Sequence, residues 1–452
     1  MPGKISEPLD FQPTEAMLAA AIDELDELGS ASGSAIDRAA RQQALDAYLR
    51  AARERSVVPE QWRHDYAALG FAGLEWSSGR ASVPVLPRSL PGRDADAGDV
   101  PALAVENAGG LVHLGSTYLE PLQTSGDMRI TLASLADARG RGAPVHGRIV
   151  SPETDRFTAL ATAFQNCGAY VEIPDGVVVD LPLQLVWMAR PGVPNAVFPH
   201  TVIRLGAGAR ATIVERHIGS TEAFVAGIVE ADLGPGARLD YVAIQQTDEG
   251  SRTFVRRRAR CAAGASIGWH SADLGGALVR SVCGAQLAGA NASAETNAFF
   301  FARGFAHVDA IVDVDHDVSR TESRTTVRSA ATDRGRGRFS GALRFAPNAT
   351  RCVASMRDDG LILSRQAYLD AAPVLAVPAN HVSASHATNI GSLDEEELFY
   401  VQSRGITRAI AERMMAMAFF EPAIARFPSD ALRDEVRTLL DSRLDDVPDT
   451  FD

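Results

Sequence analysis

The residues able to do chemistry in this chain are few and scattered. The densest group is HVDAIVDVDH, 307 to 316, with two histidines and three aspartates. Imidazole and carboxylate are metal donors. Strand periodicity sorts the segment differently. One face carries His307, Asp309, Ile311, Asp313 and Asp315; the other carries Val308, Ala310, Val312, Val314 and His316. An acidic face opposite an apolar one is what a half-buried strand displays without any metal. Carboxylates along one face are also the equipment of β-helix polysaccharide enzymes, so glycan chemistry stays open for Asp309, Asp313 and Asp315.

Other motifs are weaker. GAGARA, 206 to 211, matches a dinucleotide fingerprint, but that motif needs a helix after its glycines. TIVERHI follows instead, which reads as a strand, so the glycines mark a turn. FVRRRARC, 254 to 261, is a basic patch in an acidic chain and reads as a charged strand face. Cys167, Cys261, Cys283 and Cys352 are far apart and form no CxxC pair. Buried, inert thiols are the ordinary fate of such cysteines. His386 stands alone in ASHATNIGSLDEEELFY. It is either a structural residue or, as a neutral imidazole, a metal ligand.

The bulk properties remove several classes. The formal net charge is −13, from 44 basic and 57 acidic residues. Binding to nucleic acid needs a basic field, so nucleic acid is not the expected partner. Lys4 is the only lysine. A P-loop or Schiff-base lysine is therefore excluded unless Lys4 serves, and any nucleotide chemistry must come from a partner. No window reaches the roughly 18 apolar residues of a membrane span. The start, MPGKISEPLDFQPTEAM, has no apolar core of a secretory signal. With unpaired cysteines, these features predict a cytoplasmic protein.

The elements that must position these residues fall into three regions: 1–145, 146–391 and 392–452. In the first, helical spacing predicts helices at 14–28, 34–55 and 59–70, followed by a Pro- and Gly-rich linker over 77–110. In the second, short runs of Val, Ile, Thr and Phe alternate with turns. LGAGAR at 205–210 recurs as LGPGAR at 233–238, 28 residues on, and CAAGAS at 261–266 keeps the Gly-Ala pair. Gly208, Gly236 and Gly264 thus share one position, and Gly289-Ala290 is expected to continue the series. A fixed period of this length predicts a β-solenoid with two strands per coil. In the third region, LDEEELFYVQS, TRAIAERMMAMAFF and SDALRDEVRTLLDSRL read as helices, with Thr407 and Ser429 as caps. The Met- and Phe-rich middle helix suits either a core or a docking surface.

The stretch SHATNIGSLDEEELFYVQSRGI, 385 to 406, resembles a segment of the SufB/SufD family, written S-H-G-A-T-x-G through D-E-x-x-L-F-Y-L-x-S-R-G-I. Upstream, AYVEIPDGVVVDLPLQL, HVDAIVDVDH, GRFSGALRF and DDGLILSRQAYLDAAPVLAV resemble the family more weakly. The resemblance implies a right-handed parallel β-helix between helical ends. It implies a non-catalytic scaffold of an iron–sulfur cluster assembly complex, paired with a SufB-like paralogue and docking a SufC-like ATPase. S-H-A-T, S-R-G-I and the lack of a SufB cluster-site cysteine motif favour the SufD type. His386 would then hold a transient cluster at the subunit interface together with SufB groups, and this chain would bind no nucleotide. Phe399, Tyr400, Arg404, Met414, Met417 and Phe420 are the residues expected to dock the ATPase. The chain departs from the pattern at Ala384, where some members have cysteine, and at Ala387 and Asn389. His386 is thus the one ligand predicted from this subunit. A glycan-active enzyme and a purely structural solenoid are the rival readings.

Overall fold

The structure is a computed structural model, and it describes residues 18, 22–23, 38–53, 107–115, 117–122, 129–144, 149–189, 195–219 and 222–445. Lys4, the expected helix at 59–70 and most of the linker lie outside the described residues. So does most of 14–28, of which Leu18 and Ile22 are buried.

The architecture grows from its corners. Gly176, Gly208, Gly236 and Gly264 have φ of 70°, 67°, 69° and 68°. That left-handed conformation is free only to glycine. Each corner is tied to the next coil. The Gly208 amide donates to the Pro235 carbonyl at 2.8 Å, Gly236 to Ala263 at 2.9 Å, and Gly264 to Ala290 at 2.9 Å. The column continues without glycine through Asn291, Arg320, Arg351 and His381, with φ of 60°, 64°, 57° and 57°. The expected continuation at Gly289-Ala290 is therefore displaced, and Asn291-Ala292 forms that corner. Gly289 is needed for another reason: a Cβ there would stand 2.1 Å from the Ala263 nitrogen.

Between corners run the strands. From Pro199–Leu205 onward, strands alternate between two ten-stranded sheets, so each coil gives one strand to each sheet. The pairing is parallel and unshifted. Arg238 to Gln245 face Ser266 to Asp273 residue for residue, and Leu278 to Leu287 face His307 to His316. The result is a parallel β-solenoid of about eight coils. Among the described residues antiparallel pairing appears only at the start, where Gly109–Leu114 meets Thr117–Leu122 and Thr131–Ser134 meets Cys167–Ile173. The sheets thus begin ahead of the boundary expected at 146.

Alternate residues point between the sheets. Leu239, Tyr241 and Ala243 do so on one strand, and Ile267 and Trp269 on the next. Fully burying each large apolar side chain stabilises the fold by about 1.5–3 kcal/mol. The outer faces are covered by helices, taken here as α1 (Arg38–Arg53), α2 (Leu135–Gly140), α3 (Arg156–Ala163), α4 (Glu395–Ser403), α5 (Arg408–Ile424) and α6 (Asp430–Asp445). α1 and α3 pack over Phe198, Phe224, Ile228 and Phe254. Buried Arg41 of α1 donates to the Ala163 and Gln165 carbonyls at 2.8 and 2.7 Å. It thereby satisfies the orphan end of α3, where a cation also suits the helix dipole.

α5 and α6 cover the opposite face. Phe420, Ile424, Phe427, Leu432, Val436 and Leu440 pack on Val242, Ile244, Phe299, Phe301 and Leu361. Polar clamps fix this layer. Arg216 binds Glu435 with two hydrogen bonds of 2.9 and 2.7 Å, and Asn297 donates to the Ala423 carbonyl at 2.8 Å. Thr407 sits at the cap position of α5 but makes no side-chain cap bond, whereas Ser429 accepts from the Leu432 amide at 3.3 Å.

Candidate functional site at the open end of the solenoid

Both sheets finish on strands that carry no further strand among the described residues: Ser383–Ser392 in one and Tyr368–Ala376 in the other. A terminal strand leaves one row of amides and carbonyls unpaired. Side chains here are left uncovered too. Val374, Leu375 and Val377 are all exposed, and no residue of Ser383–Ser392 is buried.

His386 lies in this last strand. It pairs with Met356 and shares the inner face with Ala384 and Ile390, which pack against the central core. Successive coils set it at the head of an in-register column that runs Tyr241, Trp269, Thr296, Thr325, Met356, His386. The first five are buried and His386 is exposed. The solenoid interior therefore ends at this imidazole.

Among the described residues, no three His, Cys, Asp or Glu side chains converge to hold a metal. The thiols are unsuited as donors where they stand. All four are free and buried. Burial pushes Cys283 up to about 11 and Cys261 up to about 12, and raises Cys167 strongly as well. Only a thiolate ligates well.

The other motifs resolve into structure. The inner and outer faces of His307–His316 fall where periodicity put them, with Val308, Ala310, Val312 and Val314 in the core. Asp309 accepts from His307 at 3.1 Å. Asp313 and Asp315 face Arg344 at 3.4 Å each, and Asp315 also meets Arg258 at 2.5 Å. Asp313 and Asp315 are engaged by arginines, which counts against the glycan reading. The arginines of 254–261 are paired likewise: Arg256 with Asp155 at 2.6 Å, Arg258 with Asp315, and Arg257 with Glu215 at 2.8 Å.

The Arg257–Glu215 pair lies inside the solenoid, which no sequence signal announced. Burial opposes ionisation of Glu215, but Arg257 and His217 outweigh it and hold the carboxyl well below the usual range.

The helical residues expected to dock a partner divide. Phe399 and Tyr400 of α4 are 73% and 60% exposed, and Met414 of α5 is 50% exposed. Arg404 lies over the Tyr400 ring at 5.1 Å and donates to its hydroxyl at 3.0 Å. Met417 is partly buried against the helix–sheet core. Phe420 is fully buried, with its ring 5.3 Å from that of Phe299. It fastens α5 to the sheet and offers no surface to a partner, which corrects the docking expectation for this residue. Ile410 of α5 is likewise 53% exposed and was not picked out from the sequence. Arg408 ties α5 to α4 through Glu395 at 2.7 and 3.0 Å.

A family model described as the SUF system FeS cluster assembly, SufBD core domain, matches residues 187–419. That is more than half of the chain. The chain belongs to the SufB/SufD family. The matched stretch runs from Trp187 through the solenoid and the His386 strand to Phe419 of α5. SufB of Bacillus subtilis is 26% identical over 286 residues, 63% of this chain and 61% of its own length. SufD of the same organism is 25% identical over 299 residues, 65% of this chain and 68% of its own. SufD of Escherichia coli is 26% identical over 242 residues, 53% of this chain and 57% of its own. The two branches of the SufB/SufD family are thus matched about equally well. No helix among the described residues is long and apolar enough to cross a membrane.

Proposed function

We propose that this chain is a SufD-type scaffold subunit of a cytoplasmic SUF complex, without catalytic activity of its own. It pairs with a SufB-like paralogue through the open end of the solenoid, and a SufC-like ATPase docks on α4 and α5. The observation that carries this reading is His386. It stands exposed on the inner face of Ser383–Ser392, a sheet edge that no further strand covers among the described residues. A chain that adds strands to both edges would bury the exposed Val374 and Leu375 and bring its own donors to the imidazole.

In that arrangement the cluster is cargo. His386 supplies a neutral nitrogen donor, which suits iron. The interior column beneath it, headed by Met356, keeps water from its inner side. The remaining donors come from the SufB-like subunit, in keeping with the lack of a converging donor group among the described residues. The exposed Phe399, Tyr400, Arg404, Ile410 and Met414 form the patch for the ATPase, aromatic and Met-rich as adaptable docking surfaces are. Nucleotide binding falls to that partner.

The test is co-expression with SufB-like and SufC-like proteins from the same source. All three chains should co-purify, and His386→Ala should lower the iron and sulfide content of the complex without dissociating it. Failure to co-purify sinks the scaffold reading. An intact complex with unchanged iron and sulfide sinks the role of His386 alone.

A further inference from the structure

Asp358 and Asp359 lie in Val353–Ile362, the last strand but one of its sheet. Strand alternation splits them. Asp359 points outward, where Arg357 donates to its two oxygens at 2.7 and 3.0 Å and Arg328 stands at 3.7 Å. Asp358 points inward, on the face of Ala354 and Met356, and is 1% exposed. Neither of its oxygens has a hydrogen-bond partner, and no other Asp or Glu among the described residues is in that state. An unpaired buried carboxylate costs several kcal/mol as an anion. Groups of this kind call for a ligand that meets them.

Register places Asp358 beside the open end. Thr388 pairs with Asp358 in the last strand, and His386 pairs with Met356. Asp358 and His386 are therefore diagonal neighbours on one face, with about 8 Å between Cα atoms for ideal strand spacing. A carboxylate and an imidazole at that spacing are able to bind one ion from two sides. The covering strand is exposed from Ser385 to Asn389.

We propose that Asp358 and His386 together form a two-donor site for a ferrous ion at the open end of the solenoid. The inference rests on the reading of His386 given above and adds a second donor from this chain. A hard oxygen beside an imidazole suits Fe2+ and leaves the remaining positions to sulfide and the partner's groups. Asp358 binds Fe2+ as the carboxylate, so any proton that it carries is released as H+ when the iron–oxygen bond forms.

The test uses the full chain, alone and in the co-expressed complex, under anaerobic conditions. Fe2+ is titrated against a competing chromogenic chelator. Asp358→Asn keeps the shape and removes the charge, and it should weaken Fe2+ binding at least tenfold while melting no lower than the wild type. Asp358→Ser serves if the first variant fails to fold. The double variant with His386→Ala should weaken binding by less than the product of the two single effects, as a shared site requires. Wild-type Fe2+ affinity in either folded Asp358 variant overturns the inference, as does a wild-type chain and complex that bind no Fe2+. In the complex, iron and sulfide that fall with His386→Ala but not with Asp358→Asn overturn this inference alone. No effect of His386→Ala overturns the underlying reading instead.

Discussion

In the strand Gly109–Leu114 five of six residues are buried, while in Ser383–Ser392, at the other end of the same sheet, none is. Both strands pair in parallel with the coil beside them. The early strand has the hairpin partner Thr117–Leu122 on its other side. The late strand has nothing there among the described residues. In a solenoid each coil is finished by the next, and among the described residues nothing finishes the last one. The contrast separates residues that hold this fold from those that, in the function proposed above, meet a partner.

The contrast breaks most visibly at Phe420 and Met414, six residues apart on one helix. Phe420→Ala should cost about 3–5 kcal/mol, read as a lower denaturation midpoint, because a fully buried ring is removed from the helix–sheet core. Met414→Ala should leave stability within about 0.5 kcal/mol and instead weaken retention of the SufC-like ATPase. Equal losses of stability would dissolve the distinction.

His316 probes the finished interior. It is fully buried, stacked on Phe345 at 4.5 Å, with Thr321 and Ser323 hydroxyls at 2.7 and 2.9 Å. Burial lowers its pKa to about 4 against the small opposing pull of Asp315. The unfolded chain therefore binds the proton more tightly. The resulting stability is complete above about pH 6.5 and is lost as pH falls toward 4, by up to about 3 kcal/mol. Thermal melts of wild type and His316→Gln between pH 7 and 4 should converge as pH falls.

At the unfinished edge the signs reverse. Val374→Lys with Leu375→Lys should change stability by less than about 0.5 kcal/mol, yet abolish co-purification with a SufB-like partner, since edge lysines block strand addition. Retained association would move the interface elsewhere. The smallest effect is expected at the corners. Arg351→Gly relieves a left-handed residue and should stabilise by about 0.5–1 kcal/mol, measured by chemical denaturation.

The corners also mark what could be read from sequence. Gly208, Gly236 and Gly264 gave the period directly, because glycine is the residue that advertises a left-handed turn. The period faded where Asn291, Arg320, Arg351 and His381 took over the same conformation, which nothing in those residue types announces. Alternation placed both faces of His307–His316 correctly. It was silent about Glu215 and Arg257, because charged residues in a strand read as surface and only the stacked register turns them inward. The same gap hid Asp358: the dipeptide Asp358-Asp359 looks like one acidic patch until the pleat divides it. The end of the coils near His386 was legible in the change of pattern around it, while the burial of Phe420 was not, since the apolar outer face of a sheet cannot be told from an inner one by composition.

The C-terminal helical layer has a further consequence. It touches six successive strands of one sheet, from Val214 to Leu361, a distance of about 24 Å at one strand spacing per coil. Its two anchors are far apart along that distance, Arg216 on Glu435 near the beginning and Arg328 on the Phe419 carbonyl toward the end. α6, with 16 residues, is itself about 24 Å long. The layer thus ties together coils that are not neighbours in the stack: the strands that carry Arg216 and Arg328 lie four strand spacings apart, about 19 Å, and both are fastened to one pair of helices.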